Sequence, residues 1–179
     1  LRAAQCGCAN HLDVDQSPLS PQLRAAHVLR DTARFDELFA LIFNDDPALA
    51  LRAFLEVDEI SRSRPDLIVP HRGALLDALE RFDDPEMQRL AAVALTRVKL
   101  APKERAKAAP VFERYLQSPS AATVLAALAA LVDFAAEDGR YRRGVMPRIE
   151  QHMRDWTPAL RTRAQRIVER LTPRTPPAK

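Results

Sequence analysis

Apolar residues recur at i, i+3, i+4 and i+7 along most of this chain, the spacing of helices with one buried stripe. The clearest stretch is residues 84–116, DPEMQRLAAVALTRVKLAPKERAKAAPVFERYL. There Met87, Leu90, Ala91, Ala94, Leu95 and Val98 make one stripe, and Val111, Phe112, Tyr115 and Leu116 make a second. Asp84-Pro85 supplies the N-cap and first residue of one helix, and Pro102 opens the next. The stretch reads as a hairpin of two antiparallel helices. One hairpin cannot bury both of its own stripes, so further pairs must lie on either side.

The rest of the chain supplies them. Ser17-Pro18 and Ser20-Pro21 mark an opening turn, and residues 22–30 predict a short helix with Leu23, Ala26 and His27 toward the core. Asp31 or Thr32 can cap a second helix, carrying Phe35, Leu38, Phe39 and Ile42. From Asn44 onward the pattern repeats. First helices are predicted to start at Pro47, Pro85, Pro119 and Pro158, spaced 38, 34 and 39 residues apart. Each follows a good cap: Asp46, Asp84, Ser118 or Thr157. The second helices between them carry Pro70, Pro110 and Pro147, each expected in the first half of its helix. Two-helix units at such a period predict an all-α fold, a right-handed α-solenoid of about nine helices over residues 21–171. Residues 1–16 read as a flexible arm, and residues 172–179, with Pro173, Pro176 and Pro177, as a disordered tail.

Composition supports helices. The 179 residues are rich in Ala, Leu and Arg and contain only 4 Gly, which disfavours strands and their turns. No apolar run approaches the roughly 20 residues that cross a bilayer, and residues 1–15 lack the apolar core of a signal peptide. A cytoplasmic protein without a membrane partner is the expectation.

Charge changes the picture more. Residues 1–138 hold 16 Lys and Arg against 21 Asp and Glu, a balance of −5, whereas residues 139–179 hold 11 against 3, a balance of +8. The formal charge of +3 therefore hides an acidic body and a basic end.

The residues also carry a resemblance. DDPALALRAFLEVDEI followed by RPDLIVPHRGALLDAL is similar to a HEAT-repeat pair: an Asp-Pro start at Asp46-Pro47, Arg52-Ala53 in the first helix, and Pro65-x-Leu67 opening the second. Over roughly residues 20–171 the series resembles small bacterial HEAT-repeat proteins, with FDELFALIFNDDP, RPDLIVPH and a TPALRTRAQRIVERL-like final helix in the same order. The third unit, SPSAATVLAALAALVDFA, departs by lacking the usual Arg of the first helix. The resemblance implies a helical scaffold whose second helices line a concave side, and it implies little chemistry.

Candidate chemistry is sparse. There is no Gly-rich phosphate loop, no HExxH and no Gly-x-Ser-x-Gly elbow, so no enzymatic activity, cofactor or small-molecule substrate is expected. Cys6, Cys8 and His11 include soft-metal donor types, but they precede any helical periodicity and read as incidental side chains of the arm. Asp45-Asp46 and Asp83-Asp84 recur just before proline and read as caps rather than paired catalytic carboxylates. The HEAT-like alkylpurine DNA glycosylases use an acidic residue framed by tryptophans in a basic groove; here a single Trp156 beside Asp155, in an interhelix turn, reads as packing.

Contact residues are therefore expected on second helices, at His71, Arg72, Arg148 and Arg154, and on one face of the last helix, at Arg163, Arg166 and Arg170. Arg140, Arg142 and Arg143 add to that basic end. A solvated face favoured by the helix dipole is the plain alternative. As a surface it would suit a protein partner that is acidic, or second to that, nucleic-acid phosphates. Aromatic interleaving is poor, so base stacking is not indicated. The arm yields one prediction: deleting residues 1–16 leaves helicity and thermal midpoint unchanged by circular dichroism, because they carry no periodic stripe. A fall of several degrees would mean the arm docks on the helices.

Overall fold

A computed structural model describes residues 32–171 of the protein. The expected helix at residues 22–30, the arm with Cys6, Cys8 and His11, and the tail all lie outside the described residues. Within them the fold is all-helical, with eight α-helices and no strand. These are α1 (Thr32–Ala40), α2 (Pro47–Ser63), α3 (Arg72–Ala78), α4 (Pro85–Thr96), α5 (Pro102–Tyr115), α6 (Ala121–Glu137), α7 (Gly139–Asp155) and α8 (Pro158–Val168). Short 3-10 turns extend them at Leu41–Phe43, Pro65–His71, Leu79–Arg81 and Glu169–Leu171.

The helix starts follow from capping chemistry. Asp46 accepts the Ala48 amide at 2.9 Å, and Asp84 accepts those of Glu86 and Met87 at 2.9 and 3.0 Å. In both cases proline follows as the first helical residue, where its missing N–H costs nothing. Thr157 caps α8 in the same way. The third start differs from expectation: α6 begins at Ala121, not Pro119, and its cap is Ser120, not Ser118. Ser120 has an extended backbone, and its Oγ reaches the Thr123 amide at 3.3 Å, so Pro119 falls in the preceding turn. Asp138 caps α7 through the Arg140 and Tyr141 amides, and these bonds hold its carboxyl below the usual carboxylate range.

The internal prolines also fall differently. Pro70 does not sit inside an α-helix; it ends a 3-10 stretch, and α3 starts only after it. Proline lacks the donor an α-helix needs and crowds the carbonyl four residues back, which leaves the tighter turn. Pro110 and Pro147 are each the ninth residue of their helices, of 14 and 17 residues, so neither lies in the first half. Both are exposed, as are Ala106 and Arg143 four positions earlier, so the lost bonds lie on the wet side.

One apolar cluster runs through all eight helices. Phe35, Phe54, Ile68, Leu75, Leu90, Leu95, Phe112 and Leu128 are among its fully buried members. Helix α4 packs on α2 and α6, and α6 packs on α8. The other helices attach beside this series: α5 against α3 and α6, α7 against α6 and α8. The closest backbone approaches of α4 and α5 are thus to other helices rather than to each other, although they are consecutive. Small residues explain the choice. Ala91, Ala92 and Ala94 on α4 and Ala127 and Ala130 on α6 are all fully buried, and alanine lets helix axes come near the short end of the ~8–10 Å packing range.

Polar bonds tie the seam at its ends. The Thr123 hydroxyl donates to the Pro85 carbonyl at 2.7 Å, joining α6 to the start of α4. The Tyr115 hydroxyl donates to the Leu79 carbonyl, and burial pushes its pKa to about 12. Leu95 is 1% exposed, and Leu95→Ala should destabilise the protein by about 2–5 kcal/mol. Urea unfolding followed by circular dichroism measures this, and an unchanged midpoint would contradict the packing.

Candidate interaction surfaces

Charged side chains on these helices form a regular set of cross-helix pairs. In six of them the base lies in the later helix and the acid in the earlier one: His71–Asp36, Arg97–Asp58, Lys107–Asp77, Arg114–Glu80, Arg148–Glu113 and Arg170–Asp133. Two run the other way, Arg72–Glu104 and Arg105–Glu137. Partners lie 30 to 39 positions apart, close to the spacing of the helix starts.

The seven expected contact residues divide on this basis. His71 Nε2 sits 2.7 Å from Asp36 Oδ1, and its ring stacks on Phe39 with centroids 4.2 Å apart. Arg72 donates to Glu104 at 2.9 Å, which with the Ala101 amide lowers the Glu104 pKa; the amide bond is the larger cause. Arg148 donates to Glu113 at 2.8 Å and Arg170 to Asp133 at 2.6 Å. Burial pushes the Asp133 carboxyl up, and Arg170 opposes that shift. Four of the seven are thus engaged within the molecule. The guanidinium groups of Arg154, Arg163 and Arg166 are exposed and have no partner among the described residues.

These three lie at the C-terminal end, on α7 and α8. Two neighbouring arginines serve the fold instead. Arg161 donates to the carbonyls of Met153, Arg154 and Trp156 at 3.0, 3.0 and 3.1 Å, closing the C-terminus of α7. Arg142 donates to the Leu171 carbonyl at 2.8 Å. Trp156 is the C-cap of α7 and is half-buried against the core, as packing required. A shallow cleft of about 380 Å³ lies between α7 and α8, lined by Glu150, Met153, Arg154, Arg161, Gln165 and Val168. Leu160, Ile167 and Val168 on α8 remain only half-buried, because no later helix among the described residues covers them.

A second surface lies at the other end, where the turns before α2 and α4 meet. An open groove of about 690 Å³ runs there, with Phe43, Pro47, Leu51, Phe82 and Met87 among its lining residues. Asp45 and Asp83 also line it, and neither accepts a hydrogen bond nor pairs with a cation among the described residues. Each doubled aspartate therefore splits its roles: the second caps a helix and the first stands free. That division was hidden in the sequence, where both members read as caps.

One strongly buried charge is structural. The Asp58 side chain is 4% exposed on α2, with Arg62 Nη2 on its Oδ2 at 2.8 Å and Arg97 Nη2 2.7 Å from its Oδ1. That last contact is an ion pair without hydrogen-bond geometry, so Oδ1 has charge compensation but no donor. Arg97 also donates to the Asp58 carbonyl at 2.9 Å and to the buried Ser61 hydroxyl, clamping α4 to α2. The periodicity hid this pair as well, since Asp58 falls inside an apolar stripe.

Among the described residues no group of three His, Cys, Asp or Glu is placed to hold a metal, and no helix is long and apolar enough to cross a membrane. Compared with protein-family models, with curated proteins and with solved structures, the chain matches none.

Two substitutions test the charge assignments. Arg97→Ala strands Asp58 and should cost about 3 kcal/mol, the low end for breaking a buried pair, because Arg62 remains. Arg170→Glu faces Asp133 with a second carboxylate and should cost about 1 kcal/mol, near the top of the range for a partly exposed pair. Thermal unfolding measures both, and equal losses would contradict the difference in burial.

Proposed function

We propose that the protein is a non-enzymatic interaction module, an α-solenoid of HEAT-like helix pairs whose basic C-terminal end binds an acidic protein surface. The solenoid part is supported by packing that joins each helix to those one and two places along, and by ion pairs that recur at the repeat spacing. The binding part rests on one observation. Arginines in the body are matched to acids of neighbouring helices, whereas Arg154, Arg163 and Arg166 reach solvent unmatched. Guanidinium groups grip carboxylates through paired N–H donors, and their charge draws an acidic partner in from a distance.

The test uses a fluorescent Glu-rich peptide, with duplex DNA as a second probe. Wild-type protein should bind the peptide in a salt-sensitive way. Arg163→Glu/Arg166→Glu should weaken binding by at least about tenfold, or 1.4 kcal/mol. Both arginines are exposed and outside the buried stripe, so helicity should be unchanged. Equal binding by the variant, without salt dependence, would reduce the basic end to a solvated face. Tighter binding of duplex DNA with a steeper salt slope would instead assign the end to phosphates.

A further inference from the structure

The acidic-rimmed groove and the basic end are complementary in chemistry and occur on one chain. We infer that the groove between the turns before α2 and α4 receives α8 of a second copy, so that the protein self-associates head to tail. The inference rests on the reading of the basic end above and names its partner.

The groove offers apolar lining with free carboxylates at its margin. Phe43 is 37% exposed there, an unusual position for phenylalanine unless something covers it, and Asp45 and Asp83 stand unpaired. Helix α8 offers the converse. Leu160 and Ile167 are half-buried, and Arg163 lies three residues after the first and four before the second, on the same side of the helix. Arg166 extends that charged margin. An apolar strip edged by arginines thus faces the same problem as an apolar groove edged by aspartates, and each solves the other's. The net charges agree: −5 over residues 1–138 and +8 over residues 139–179.

The contact must be between molecules. Helix α8 is fixed on α6 through buried Ala164 and Leu171 and through the Arg170–Asp133 pair. The groove belongs to α2, α4 and the turns before them, on the far side of α6 from α8. Two different patches joined in this way make a heterologous contact, which propagates as open chains unless the rotation happens to close a ring.

Charge swapping provides the test. One variant, Asp45→Arg/Asp83→Arg, reverses the groove margin; neither residue is a cap, so the helix starts survive. The other, Arg163→Glu/Arg166→Glu, reverses the end. In sedimentation velocity the wild-type protein should show a weight-average mass that rises with concentration and falls with added salt. Each variant alone should remain monomeric, since like charges would then meet. An equimolar mixture of the two should associate again, because every joint in it is matched. A wild type that stays monomeric at high concentration and low salt overturns the inference. So does a mixture of folded variants that fails to associate, or a dimer indifferent to both reversals. The groove variant keeps its basic end, so it should still bind the Glu-rich peptide. Loss of self-association with peptide binding intact in the wild type would sink this inference alone; absent peptide binding in the wild type would remove the reading beneath it.

Discussion

The close packing of α4 on α6 is the contact on which the rest of the molecule depends. Buried alanines on both helices bring the backbones together, and Leu90, Leu95, Leu128 and Leu131 fill the space beside them. Helix α6 then serves as the surface on which α5, α7, α8 and the last turn are all laid. Packing of this kind has a narrow tolerance. A larger residue at Ala91 or Ala127 would push the axes apart, and each helix resting on α6 would lose its seat.

Local features were legible in the sequence wherever one residue and its near neighbours decide the outcome. The stripes at Phe35, Leu75, Leu90 and Val145 fall on buried faces, and the Asp-Pro starts are caps with proline in the first turn. Errors arose where two local solutions compete. In Ser118-Pro119-Ser120 either serine can cap, and the one with extended backbone and reach to a third amide prevails. At Pro70 the apolar pattern of a helix persists while the backbone tightens to 3-10, since stripes report which side is buried and not which hydrogen bonds close. The α4–α5 hairpin was overread for a different reason: adjacency along the chain says nothing about which alanine surface allows the nearest approach.

The candidate surfaces were legible only in part. Clustering of arginine near the C-terminus is visible in composition, but whether a given arginine is free depends on a carboxylate some thirty to forty positions earlier. Arg148 and Arg163 look alike in the sequence, yet Glu113 occupies the first and nothing described occupies the second. The free members of the two aspartate pairs were concealed because capping explained both residues at once. Burial of Asp58 was concealed by its place among Val57 and Ile60, where a charge is tolerated only because Arg97 arrives from another helix.

The direction of the cross-helix pairs gives the chain a grammar. Most joints set an acid on the earlier helix against a base on the later one, so the two sides of a helix layer are not equivalent. A segment copied in tandem at the repeat length would meet its neighbours with acid against base at both new junctions. A segment inserted out of phase would set acid against acid. Growth and shrinkage by whole units are thereby electrostatically silent, while slippage by part of a unit is penalised at each pair. The same salt bridges that add little to stability singly thus act together as a reading frame for the fold.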